Sequence, residues 1–134
     1  MAEVTEGDVE PWIGVDLDAT TAFYEEWIPN HIGDPIDLMV LRIRAWLARG
    51  QKVKIMTARM AHDEDGQEAK RVGDWTERHI GQRLEATCCK DYGMIELWDD
   101  RVVRVTANTG LVSDGQDVDD PLIDQEPGDI GAAM

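Results

Sequence analysis

The sequence predicts an α/β fold, a doubly wound and mostly parallel sheet of five strands. Two observations predict it. Short apolar runs of strand-forming residues alternate with stretches of helical periodicity, the pattern of parallel strands joined by helical crossovers. Those apolar runs also end, one after another, in polar or charged residues. Ligand sites of open α/β sheets are built from residues at that carboxyl edge.

The first run, Trp12-Ile13-Gly14-Val15, leads into Asp16-Leu17-Asp18-Ala19-Thr20. A buried strand accounts for Ile13 and Val15 but not for carboxylates at its end. In an extended chain Asp16 and Asp18 fall on the same side, where they repel one another unless a cation or a shared proton intervenes. An Asp-rich turn after a strand is the plainer reading of the same residues. Thr21 to Asp34 is irregular and carries Phe23, Tyr24, Trp27 and Pro29. Asp34-Pro35 reads as a helix start, with Asp34 as N-cap and Pro35 in the first helical position. Ile36, Met39, Val40, Ile43, Trp46 and Leu47 follow at helical spacing, and Gly50 closes the helix.

Gln51 to Met56, with Val53 and Ile55 alternating, is a second strand running into Thr57-Ala58-Arg59. Met60 to Gly66 reads as a charged loop. A second helix is expected from about Gln67 to His79, presenting Ala69, Val72, Trp75 or Thr76, and Ile80. Leu84 to Cys89, Met94 to Trp98 and Val102 to Thr106 complete the five strands. There is no internal repeat and no Gly-rich phosphate loop of the dinucleotide or nucleoside-triphosphate kind.

A chain of 134 residues is one domain with room for a real core. No apolar run approaches the roughly 18 residues of a membrane span. Met1 to Glu10 lacks the basic, apolar pattern of a signal peptide. The adjacent Cys88 and Cys89 do not readily form an unstrained disulfide, so a reducing, cytoplasmic location is expected. The net charge of −15 is unevenly spread. Residues 1–11 and 111–134 carry acids and no bases, whereas residues 12–110 hold 17 acids against 13 bases. Three segments follow: an acidic flexible amino terminus over 1–11, a folded body over 12–110, and an acidic tail over 111–134. The tail is rich in Asp, Gly and Pro, reads as disordered, and has solubility as its simplest role.

At the strand ends the chain resembles the haloacid-dehalogenase-like (HAD) phosphohydrolases. That family's Asp-x-Asp-x-Thr motif matches Asp16, Asp18 and Thr20. Its Thr or Ser at the end of an apolar strand matches Thr57, its lysine matches Lys90, and its acidic pair after a further apolar strand matches Asp99-Asp100. The ordered set spans the body, about residues 12 to 110. Ala19 stands where the family usually has Gly, and Thr21 where it has an aliphatic residue. The first change matters if the backbone there needs a positive φ, which residues other than glycine adopt less readily.

The resemblance implies a Rossmann-like three-layer sandwich and a Mg²⁺-dependent phosphomonoesterase. Asp16 would be the nucleophile that forms an aspartyl-phosphate, and Asp18 the general acid and base. Asp16, Asp99 and the backbone carbonyl of Asp18 would hold Mg²⁺, supported by Asp100. Thr57 and Lys90 would bind the phosphoryl group, beside Ala58 and Arg59. Read by itself, Lys90 is an exposed lysine before a turn. Thr57-Ala58-Arg59 and Asp99-Asp100-Arg101 resemble the versions found in phosphatases of nucleotides and polynucleotide ends, and an arginine fork suits phosphate. Arg101 equally suits a role anchoring the acidic pair. His31, His62 and His79 show no ligand spacing, although Asn30, His31 and His62 are candidates for the site entrance.

Neither Thr21 to Asp34 nor Met60 to about Gly81 has room for a cap domain, so an open site is expected. Large substrates, a nucleic-acid end or a phosphoprotein, are then admissible. The aromatic segment Phe23 to Trp27 would either stack on a base or pack beneath its loop as core. Two further readings stay open: a phosphatase of another small phosphorylated metabolite, and a catalytically idle HAD-fold protein that binds a phosphorylated ligand or protein partner.

Overall fold

The computed structural model describes residues 10–116, 118 and 120–122, so residues 1–9 and much of the expected acidic tail lie outside the described residues. The chain divides into two units, Met1–Asp100 and Arg101–Met134. The first holds β1 (Trp12–Val15), α1 (Asp37–Ala48), β2 (Lys52–Met56), α2 (Gln67–His79), β3 (Ala86–Thr87) and β4 (Met94–Trp98). A 3-10 helix, Ala58–His62, takes in the start of the expected charged loop, Met60 to His62. No described helix is long and apolar enough to cross a membrane.

The four strands are parallel in the order β3-β2-β1-β4. Val15 is level with Ile55 of β2 on one side and Trp98 of β4 on the other, so three carboxyl ends lie side by side. The order reverses between β1 and β4. That switch point is where α/β sheets open a crevice.

Ile13, Val15, Val53 and Ile55 project from one sheet face into a core that also contains Met39, Val40 and Ile43 of α1 and Val72 and Trp75 of α2. Each such side chain, fully buried, contributes about 1.5–3 kcal/mol. Both helices therefore cover the same face. The other face is crossed by the connection from β3 to β4, residues 88–93, which is too short for a crossover helix. Asp91 in this connection accepts a hydrogen bond from Trp12 Nε1 at 2.8 Å, and Lys54 Nζ lies 4.5 Å from the centre of the Trp12 ring. Gly14 permits this cover, because a Cβ there would crowd Trp12, Leu97 and Met94. The expected third layer is thus a short strap among the described residues.

Three further expectations are corrected. The first helix begins at Asp37, with Ile36 as its cap and no side-chain cap bond. Asp34 and Pro35 are tied to the start of the loop instead. Phe23 N–H donates to the Asp34 carbonyl at 2.7 Å, and Pro35 bridges Ala22. A residue before proline is pushed toward extended geometry, which suits a cap and this pairing alike, and the bond from Phe23 decides for the pairing. Any Cβ at Gly33 would overlap the Phe23 carbonyl oxygen, so the loop closes here only with glycine. The third strand shrinks to Ala86–Thr87 because Thr87 Oγ1 accepts the Cys89 N–H at 3.0 Å and turns the chain away.

The expected fifth strand, Val102 to Thr106, is not a strand among the described residues. Asn108 and Gly110 take left-handed conformations (φ 66° and 75°) and reverse the chain. Thr106 N–H then donates to the Leu111 carbonyl and Ser113 N–H to the Arg104 carbonyl, both at 2.8 Å. The run thus pairs locally, within its own unit. By contrast, α2 spans Gln67–His79 as its periodicity predicts. Asp63 accepts the N–H groups of Glu68 and Ala69 at 2.9 and 3.0 Å, and these bonds hold its carboxyl below the usual range.

Candidate functional site

The ladder between β1 and β4 continues one step past Val15, where Asp16 N–H donates to the Trp98 carbonyl at 2.8 Å. The next residues of the two strands are Asp16 and Asp99, followed by Asp100. Each of these three offers a carboxylate oxygen, and the oxygens lie within 4.8 Å of one another. Crowding has an electrostatic consequence. The pKa of Asp16 is raised to about 7, first by burial, then by the charge of Asp99, a hydrogen bond with the Asp100 side chain and the charge of Asp100. A backbone hydrogen bond from Leu17 pulls the other way.

Two threonines brace the group. Thr20 Oγ1 accepts the Asp100 N–H at 3.1 Å, and its single proton is shared between Asp100 Oδ1 at 3.1 Å and Asp16 Oδ2 at 3.4 Å. Thr21, fully buried, donates its hydroxyl to the Asp16 carbonyl at 2.7 Å. This explains a hydroxyl where an aliphatic side chain is usual in the resembled motif. Three carboxyl groups at this spacing, once ionised, offer the oxygen donors that a hard cation binds.

Asp18 lies outside that group. Both of its oxygens accept from the Arg59 fork, Nε to Oδ2 at 2.8 Å and Nη2 to Oδ1 at 2.9 Å. The Arg59 side chain is 4% exposed. Its Nη2 also donates to the His31 carbonyl at 2.9 Å, and its guanidinium lies 4.8 Å from the centre of the Trp27 ring. Arg59 Nη1 and Glu68 Oε2 are 3.6 Å apart, both buried and both without a hydrogen bond. Between Asp18 and Thr20 the chain turns. Ala19 has φ +72°, its N–H donating to the Ala22 carbonyl at 2.8 Å. The left-handed geometry that glycine would accept freely is therefore carried by an alanine.

Thr57 is buried, and its Oγ1 accepts the Arg59 N–H at 3.2 Å, starting the 3-10 helix; this acceptance leaves the hydroxyl proton for another partner. Ala58 is exposed beside it. Lys90 is exposed in the strap between β3 and β4, and no hydrogen bond or ion pair of it is found among the described residues. Asp16, Asp99 and Asp100 are brought together, and Asp18 is joined to Arg59. Lys90 is joined to neither group among the described residues. Arg101 opens the second unit. Of the entrance candidates, Asn30 accepts from Arg71 Nη2 at 3.0 Å and His62 is exposed. His79 packs against Trp75 with ring centres 4.9 Å apart.

The aromatic segment does not form core. Phe23 and Trp27 are 58% and 54% exposed. The loop is closed at its base by Ala22, Phe23, Asp34 and Pro35. Glu68 and the stacking of Trp27 on Arg59 escaped the sequence reading. Glu68 sits in the first turn of α2, where an acid is favoured by the helix dipole anyway, so nothing in the sequence ties it to Arg59.

No protein-family model, no curated protein and no solved structure matches the chain.

Proposed function

We propose that the protein is a small, capless, Mg²⁺-dependent phosphomonoesterase of the HAD type, acting on nucleotides or polynucleotide termini. One observation carries the reading. Carboxylates some eighty residues apart, Asp16 and the pair Asp99-Asp100, converge where two adjacent parallel strands end. Clustering like charges is unfavourable by itself, and a divalent cation is the partner that reverses the sign. The accompanying Rossmann-like assignment rests on the strand order and the switch between β1 and β4, not on a third layer.

In this scheme Asp16 attacks phosphorus in line with the leaving oxygen. The P–O bond to the leaving group breaks as Asp18 delivers a proton to that oxygen. Water then attacks the phosphorus of the aspartyl-phosphate, Asp18 takes its proton, and Asp16 is released with inorganic phosphate. Asp16, Asp99 and the Asp18 backbone carbonyl would hold Mg²⁺, with Asp100 in support, and the ion would supply neutralisation of phosphate charge. Thr57 donates its hydroxyl proton to a phosphate oxygen, and Lys90 offsets charge on the phosphoryl group.

The arrangement of Arg59 favours a second reading, a phosphate-binding protein without turnover. Each oxygen of Asp18 accepts from one arm of the fork, so only its remaining lone pairs are open to a leaving group. Turnover of a generic aryl phosphate with and without Mg²⁺ decides between the two. Mg²⁺-dependent release of phosphate that disappears in Asp16→Asn supports the enzyme. Activity that survives Asp16→Asn rules out the assigned nucleophile.

A further inference from the structure

Beside Asp18 lies a cleft of about 270 Å³, with Asp18 and Arg59 on one side and Phe23, Tyr24, Glu25 and Glu26 of the aromatic loop on the other. We propose that this cleft receives the leaving group of the phosphoester, and that it selects a single nucleoside or similar ringed group while rejecting a polynucleotide. The inference rests on the phosphatase reading and narrows its substrate class.

Position is the first argument. Asp18 is the residue assigned to protonate the leaving oxygen, so the group attached to that oxygen must lie beside it. Size is the second. The cleft falls just below the range of about 300–1,000 Å³ usual for pockets that hold drug-sized ligands. One ring system with its sugar suits it, and a second nucleotide would lie outside. Surface chemistry is the third. Phe23 lines the cleft and is exposed, so its ring is open to stacking by a flat apolar partner.

Charge decides against the polymer. Glu25, Glu26 and Asp34 line the cleft, and none of them makes an ion pair among the described residues. Its one guanidinium, Arg59, is already spanned by Asp18. Polynucleotide binding draws its affinity from Lys and Arg that replace counterions along the backbone. Here the surface that a second phosphate would meet is anionic, on a chain of net charge −15. A monophosphate brings its negative charge only to the phosphoryl position and leaves an uncharged nucleoside for the cleft.

The experiment compares kcat/KM for adenosine 5′-monophosphate, adenosine 3′-monophosphate and an oligonucleotide phosphorylated at the 5′ or the 3′ end, at fixed Mg²⁺ and at two salt concentrations. We expect the better mononucleotide to exceed both oligonucleotides by at least 10-fold. Added salt should narrow the gap by screening repulsion, and Glu25→Gln/Glu26→Gln should narrow it at low salt. Phe23→Ala should raise KM for the mononucleotide more than for glycerol phosphate, which has no ring to stack. An oligonucleotide turned over as well as the mononucleotide, or one whose rate falls steeply with salt, overturns the proposal while leaving the phosphatase reading intact. If no phosphoester is hydrolysed, the phosphatase reading fails separately. Calorimetric titration with adenosine 5′-monophosphate and with the oligonucleotide then decides the cleft. Preference for the mononucleotide, weakened in Phe23→Ala, supports it, and equal or absent binding overturns it.

Discussion

Arg59 grips Asp18 through two parallel hydrogen bonds of 2.8 and 2.9 Å, joining the start of the 3-10 helix to the loop that follows β1 across 41 residues of sequence. The fork fixes both the position and the rotation of the carboxylate, a geometry that lysine cannot reproduce. Arg59 is in turn clasped by Trp27 and the His31 carbonyl, so the aromatic loop and the acid are set by one side chain.

Arg59 is therefore a positioning residue for Asp18 in the proposed reaction. Arg59→Lys keeps the charge and loses the fork, and we expect kcat to fall about 10–100-fold, the penalty typical of a misplaced reacting group. KM should change less. Arg59→Ala also strands Asp18 and Glu68, and should cost about 3 kcal/mol of stability. The discriminating measurement is the split between kcat and KM in Arg59→Lys, since a released Asp18 lowers kcat and leaves substrate binding in place. A rise in KM with kcat kept would assign Arg59 to phosphate binding instead.

Asp16 makes stability depend on pH and cation together. Its folded pKa of about 7 stands above the ordinary 3.8, so the native state holds this proton more tightly than the unfolded chain. That favours folding below about pH 4 and is lost progressively as pH rises through 7. A bound cation replaces the proton, so Mg²⁺ should raise the melting temperature little at pH 5 and clearly at pH 8. Asp16→Asn removes a crowded charge. Without Mg²⁺ at pH 8 it should melt higher than the wild type, and its response to Mg²⁺ should be largely lost. Equal Mg²⁺ shifts in both proteins would remove Asp16 from the ligand set.

Ala19 can be tested by restoring glycine. A left-handed conformation costs an L-residue about 1–2 kcal/mol, and glycine's greater freedom in the unfolded chain offsets about 0.5–1 kcal/mol of the relief. Ala19→Gly should therefore gain about 0.5–1 kcal/mol, read as a melting temperature higher by about 2–4 °C. Ala19→Val, adding β-branching at the same φ, should be destabilising. If glycine gives no gain, the left-handed turn at Ala19 is not what the folded protein adopts.

What the sequence made legible follows from where information is local. Ile13, Val15, Val53 and Ile55 announce strands by alternation, and Val72, Trp75 and Ile80 announce α2 by their spacing, because burial on one face imposes the period. The meeting of Asp16 with Asp99-Asp100 follows from parallel strands ending level. The helix start at Asp34-Pro35 misled because Pro35 fits a helical first turn and an extended bridge equally well, and only Ala22, distant in sequence, decides between them. The helix-free return from β3 to β4 was hidden for the same reason, since nothing local marks Asp91 as the partner of Trp12. Val102 to Thr106 has a strand's composition, but the reversal at Asn108 and Gly110 decides its pairing. The grip of Arg59 on Asp18 left no trace in spacing or composition.

Lys90 offers the sharpest separation between a resemblance and a role. It is exposed and makes no hydrogen bond or ion pair among the described residues, so its removal should leave the fold untouched. Lys90→Met is expected to shift stability by no more than about 0.5 kcal/mol, as for an ordinary surface substitution. If Lys90 swings over the phosphoryl group when substrate binds, the same change should lower kcat about 10²–10³-fold, the scale for losing one preorganised charge stabiliser. An exposed lysine is free to make that movement, whereas a lysine held in a structural ion pair would have to break it first. Unchanged melting with full activity would make Lys90 a surface lysine, and the charge opposite Asp16 would have to come from another side chain.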